Sequence, residues 1–76
     1  MTYAPGDFAP LVSLVGEREA GDFMFMGYIN GIYLYKHVVT RRYLNLDASG
    51  KAYTLGREFH GYHETPVETA LAYVRA

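Results

Sequence analysis

The chain has 76 residues, half of them apolar, with eight tyrosines, four phenylalanines, no cysteine and a formal net charge of −1. That length allows a single domain, 1–76, and the lack of cysteine excludes a disulfide scaffold and a thiolate zinc site, so a thin core must rely on aromatic packing or on association. Asp7, Glu17, Glu19 and Asp22 against Arg18 give residues 1–30 a net charge of −3, whereas Lys36, Arg41, Arg42, Lys51 and Arg57 against Asp47 and Glu58 give residues 31–60 +3, a basic segment weaker than that of a dedicated nucleic-acid domain.

Met1 to Gly6 has neither the basic stretch nor the apolar run of a signal peptide. The longest uncharged, mostly apolar stretch, Phe23 to Tyr35, is too short to span a bilayer and is interrupted by Asn30-Gly31. These features predict a cytoplasmic protein with no membrane partner.

In chain order, Phe8, Leu11, Val12 and Val15 have the i, i+3, i+4, i+7 spacing of an amphipathic helix over 8–15 or 8–20. Asp7 is placed to cap it, Pro10 falls in its tolerant first turn, and Gly16 or Gly21 is expected to end it. From Phe23 to His37 the residues become aromatic, β-branched and methionine around Asn30-Gly31, the pattern of a two-residue hairpin turn. Strands over about 22–29 and 32–39 follow, with Ile29 opposite Ile32. An uninterrupted register then sets Tyr28 against Tyr33, Met26 against Tyr35, Phe25 against Lys36 and Met24 against His37. One face of that hairpin is expected to carry Phe23, Phe25, Ile29, Ile32 and Leu34, and the other Met24, Met26, Tyr28, Tyr33, Tyr35 and His37.

Residues 42–47 alternate as a third strand, Ala48-Ser49-Gly50 reads as a turn, and 51–55 return as a fourth strand. Gly56 to Glu64, polar and glycine-containing, reads as an irregular loop or a frayed edge strand. Thr65-Pro66-Val67-Glu68 has the form of a capping box opening a helix over 66–75, with Val67, Ala70, Leu71 and Val74 as its buried stripe. The predicted fold class is α+β: a small antiparallel meander of about four strands with a C-terminal helix and a short N-terminal helix.

Three groups of side chains bear on function. His60, His63 and Glu64, joined by His37 from a distant strand, have the residue types of a metal site, but glycine at 61 argues against the helical spacing that would align them. The ordinary reading is of histidines that cap a loop or pack on tyrosines. Lys36, Arg41, Arg42 and Tyr43 could hold phosphates and stack on bases, as sheet-surface binders of single strands do. Arginines at a strand junction also serve simply to solvate a sheet edge. Ser13, Ser49, Lys36 and Lys51 have no recognisable base beside them, and no phosphate loop, paired carboxylate motif or cofactor motif is present, so neither an enzyme nor a cofactor is expected. The hairpin face of Met24, Met26, Tyr28, Tyr33, Tyr35 and His37 needs a cover, either the N-terminal helix or another chain. The sequence therefore reads as a non-enzymatic protein-interaction or regulatory domain with a homodimeric or other protein partner. The alternatives are weak nucleic-acid binding and, behind that, the metal site.

Overall fold

The computed structural model describes residues 5–55 and 61–76. A 3₁₀ turn, Pro5–Phe8, leads into helix α1, Ala9–Ala20. Strands β1, Phe23–Ile29, β2, Ile32–His37, β3, Tyr43–Asp47, β4, Ala52–Leu55, and β5, Tyr62–Thr65, follow, and helix α2, Val67–Arg75, closes the chain. The strands form one antiparallel sheet in the order β1-β2-β3-β4-β5. This is the expected α+β meander with five strands rather than about four, because part of the segment read as a loop or frayed edge pairs with β4.

Both candidate stops in α1 act. Gly16 leaves helical geometry at φ 86°, ψ 164° and kinks the helix, and the N–H of Gly21 closes it on the carbonyls of Glu17 and Arg18 at 3.2 and 3.3 Å. Asp7 does not cap it: Phe8 holds that position and Asp7 lies inside the 3₁₀ turn. The capping box of α2 is likewise not formed. The backbone of Thr65 continues the β4–β5 ladder opposite Ala52, so Pro66 (φ −57°, ψ 137°) takes the cap position and no side chain caps the helix. The other end of α2 is held from the middle of the chain. Thr40 Oγ1 donates to the Val74 carbonyl at 2.7 Å and Arg42 Nη1 to that of Tyr73 at 2.9 Å, satisfying terminal carbonyls that have no partner within the helix.

The first hairpin turns as expected, with Asn30 (φ 49°) and Gly31 (φ 86°) both left-handed and Ile29 opposite Ile32. The predicted register holds through Tyr28–Tyr33 and Gly27–Leu34, then fails. Met26 is an extra residue, a β-bulge enabled by Gly27 at φ 147°, a conformation that side-chain-bearing residues rarely adopt. Beyond it Phe25 faces Tyr35, Met24 faces Lys36 and Phe23 faces His37. One inserted residue reverses the side of the sheet on which every preceding side chain lies.

The bulge thereby gathers the core. Phe23, Tyr35, Leu44, Leu46 and Ala52 lie on one face of the sheet and are buried in one cluster with Leu11 and Ala20 of α1 and Val74 of α2. Both helices thus cover the same face. Each fully buried large side chain contributes roughly 1.5–3 kcal/mol. Tyr35 is completely enclosed; its hydroxyl donates to the Asp7 carbonyl at 2.6 Å, and burial holds its phenol well above the ordinary value. At the far side, Arg75 forms a bidentate ion pair with Glu19 of α1, both contacts 2.7 Å.

Candidate functional site

With both helices on one side, the opposite face of the sheet has no second layer among the described residues. Alternation and register place Met24, Ile29, Ile32, Leu34 and Lys36 on it from the first two strands. Tyr43, Asn45 and Asp47 of β3 continue it, followed by Tyr53, Leu55, Tyr62 and Glu64. Ile29 is 49%, Tyr43 42% and Leu55 62% exposed. Lys36 Nζ stands 5.8 Å from the centre of the Tyr43 ring, a cation–π contact that keeps the lysine stem against the apolar surface.

Of the six side chains expected to share an interaction face, the bulge removes Met24 and Met26, and Tyr28, Tyr33, Tyr35 and His37 share the side that both helices cover. Tyr33, Tyr35 and His37 lie on the helix-covered side, where Tyr35 is the centre of the core and Tyr33 packs against it. His37 meets the Phe23 ring edge-on at 4.9 Å, and its Nδ1 accepts the N–H groups of Val39 and Thr40 at 3.1 and 3.2 Å. Its role is to fold the β2–β3 connection. Tyr28, on the same side but 59% exposed, leans on Tyr33 with centroids 4.8 Å apart. Met24 stays on the uncovered side, and Met26 is the bulged residue itself. The aliphatic residues Ile29, Ile32 and Leu34, expected on one face with Phe23 and Phe25, are without those rings on the uncovered side.

The basic cluster also divides. Lys36 and Tyr43 pair on the uncovered face, whereas Arg42 turns to α2, its guanidinium 4.7 Å from the Tyr73 ring centre. Arg41 is exposed at a left-handed φ of 65°. Of the metal candidates, His60 falls outside the described residues. His63 and Glu64 are neighbours in β5 and so project to opposite faces, and His37 stands on β2, three strands away. Among the described residues no three metal-ligating side chains come together.

Two features went unread in the sequence. Asp47 organises the β3–β4 turn: its Oδ1 accepts the Ser49 hydroxyl at 2.6 Å and the N–H groups of Ser49 and Lys51 at 2.9 and 3.0 Å, while Oδ2 accepts the Tyr53 hydroxyl at 2.8 Å. These donors, the Ser49 hydroxyl foremost, lower the carboxyl from its ordinary 3.8 to about 2. The second feature is a cleft of about 730 Å³. The β3–β4 ladder consists of Asn45–Tyr53 and Leu46–Ala52, and the cleft opens beyond its end, bounded by Tyr43 and Leu55 and reaching Ala70 and Tyr73 of α2. The available clue was Asn45 itself, an amide set between two leucines in an otherwise regular strand.

Among the described residues no helix is long and apolar enough to cross a membrane. No protein-family model, curated protein or solved structure matches the chain.

Proposed function

We propose that the chain is a non-enzymatic protein-interaction domain that pairs with a second copy of itself through the uncovered sheet face. The observation that carries this reading is the half-exposed state of Ile29, Tyr43 and Leu55 on a face without a covering layer among the described residues. Antiparallel sheets with one solvated face ordinarily alternate apolar-in, polar-out, and a continuous apolar patch on the outer side marks a place where another surface docks. Charge favours a second copy as the occupant. Lys36 on β2 and Glu64 on β5 stand toward opposite flanks of this face. A two-fold stacking about an axis along the strands sets the basic flank of one copy over the acidic half of the other.

Sedimentation velocity tests the pairing. The unmodified chain is expected to sediment as a dimer at concentrations of about 10–100 μM. Ile29→Lys and Leu55→Arg, at positions exposed enough to accept charge without unfolding, are expected to yield folded monomers. A wild-type monomer throughout that range overturns the proposal. Weak nucleic-acid binding is the second reading, resting on the exposed Arg41 and on Lys36 beside Tyr43. It requires a shift of labelled single strands at low salt that fades steeply as salt is added.

A further inference from the structure

The cleft beyond the end of the β3–β4 ladder has a polarity that neither core packing nor self-association uses. Asn45 is 6% exposed and forms part of the cleft wall. Its Nδ2 donates to the Tyr53 carbonyl at 3.2 Å, which fixes the orientation of the amide, and its buried Oδ1 accepts no hydrogen bond among the described residues. Most buried side-chain polar atoms in folded proteins are paired, and a buried acceptor without a donor costs stability until something supplies one.

Charge points the same way. Arg41 and Arg42 line the cleft and no aspartate or glutamate does among the described residues, although the chain as a whole carries −1. Arg42 is held in place by the Tyr73 carbonyl and ring, while the Arg41 side chain makes no hydrogen bond or ion pair among the described residues. Tyrosine rings, including Tyr43 and Tyr62, supply flat apolar walls, and the volume falls within the range of small-molecule sites.

We infer that this cleft binds a small aromatic carboxylate that also carries an N–H or O–H donor. The carboxylate faces the arginine end, the ring stacks among the tyrosines, and the donor satisfies Asn45 Oδ1. Bidentate arginine contacts suit a planar carboxylate better than a spherical anion.

The probes are anthranilate, which has carboxylate, ring and amine donor; benzoate, which lacks the donor; and aniline, which lacks the charge. They are titrated against the full chain carrying Ile29→Lys, a substitution outside the cleft, and followed by amide chemical shifts, so the outcome does not depend on self-association. Anthranilate is expected to move the signals of Asn45, Tyr53 and Tyr73 with a Kd on the order of 1 mM or tighter. Benzoate and aniline are each expected to bind about tenfold more weakly. Arg41→Asn, suited to the left-handed backbone at that position, should weaken anthranilate about tenfold. Asn45→Leu, which also removes the donor to the Tyr53 carbonyl, should erase the preference for anthranilate over benzoate in a chain that still unfolds cooperatively. Absence of cleft shifts at about 10 mM anthranilate, a concentration that would half-saturate even a very weak site, overturns the inference. Equal binding of anthranilate and benzoate, or a preference that survives Asn45→Leu, overturns it too.

Discussion

The Phe25 ring lies 5.9 Å from that of Tyr35, its cross-strand partner, and both rings meet Phe8, at 6.2 and 5.8 Å. This cluster exists only because Met26 is bulged out of the ladder. Deleting Met26 preserves the Gly27–Leu34 and Phe25–Tyr35 pairs, so the shortened chain should still unfold cooperatively and keep its near-UV circular dichroism. In an uninterrupted register the same deletion would carry both β1 phenylalanines across the sheet, and loss of cooperative folding would favour that register. A Cβ at Gly27 would meet no atom within 4 Å, so the cost of Gly27→Ala is in the backbone alone and is expected at about 1–3 kcal/mol by urea denaturation.

Tyr35 belongs to folding rather than recognition. Tyr35→Phe removes the donor to Asp7 and should cost about 1 kcal/mol, whereas Tyr35→Ala should cost about 3–5 kcal/mol, much of the stability of a domain this small. Because burial raises the phenol above its unfolded value of about 10, its contribution is complete below that pH and is lost as pH rises through the folded value. Alkaline unfolding should therefore coincide with tyrosinate absorbance, and Tyr35→Phe should move that transition upward.

Asp47 has the opposite sign. Its carboxyl titrates at about 2 in the folded chain against an ordinary 3.8, so it stabilises above about pH 4 and the effect fades as the pH falls through about 2. Asp47→Asn should flatten the acid limb of the stability curve between pH 5 and pH 2 relative to wild type, measured by urea midpoints at each pH. An unchanged slope would mean that the turn does not depend on the charge.

The end of α2 is tied down by Thr40 and Arg42. Thr40→Val and Arg42→Ala are each expected to cost about 1–2 kcal/mol, with hydrogen exchange accelerating first in the last turn of the helix, whereas Arg41→Asn should change stability by less than about 0.5 kcal/mol. Were both arginines free to contact phosphates, the two substitutions would have similar, small effects on folding.

Much of this architecture was legible because short-range chemistry fixes it. Asn30-Gly31 dictated the hairpin turn, and the Leu44-Asn45-Leu46 alternation dictated β3. Tyr28, Tyr33, Tyr35 and His37 were rightly separated from Ile29, Ile32 and Leu34, but Phe23, Met24 and Phe25 were set on the wrong faces because side-chain alternation has no memory of an inserted residue. Glycine inside a strand is the usual mark of a bulge, and Gly27 was the single residue carrying it. The capping box failed through competition, since Thr65 serves the ladder opposite Ala52 before it can serve the helix. The side that the helices cover was hidden with the bulge, which sets Phe23 and Phe25 on the same face as Tyr35. The cleft depends on where the β3–β4 ladder stops, a tertiary fact that no local pattern states.

The chain-order arrangement of the strands has a kinetic consequence. Each strand pairs with its immediate successor, so the sheet assembles from local loop closures, whereas the Glu19–Arg75 ion pair joins residues 56 positions apart. Local closures are fast and distant ones slow. The meander should therefore form while Leu44, Leu46 and Ala52 are still partly wet, and docking of α2, latched at Thr40 and Arg42, completes the burial that α1 shares.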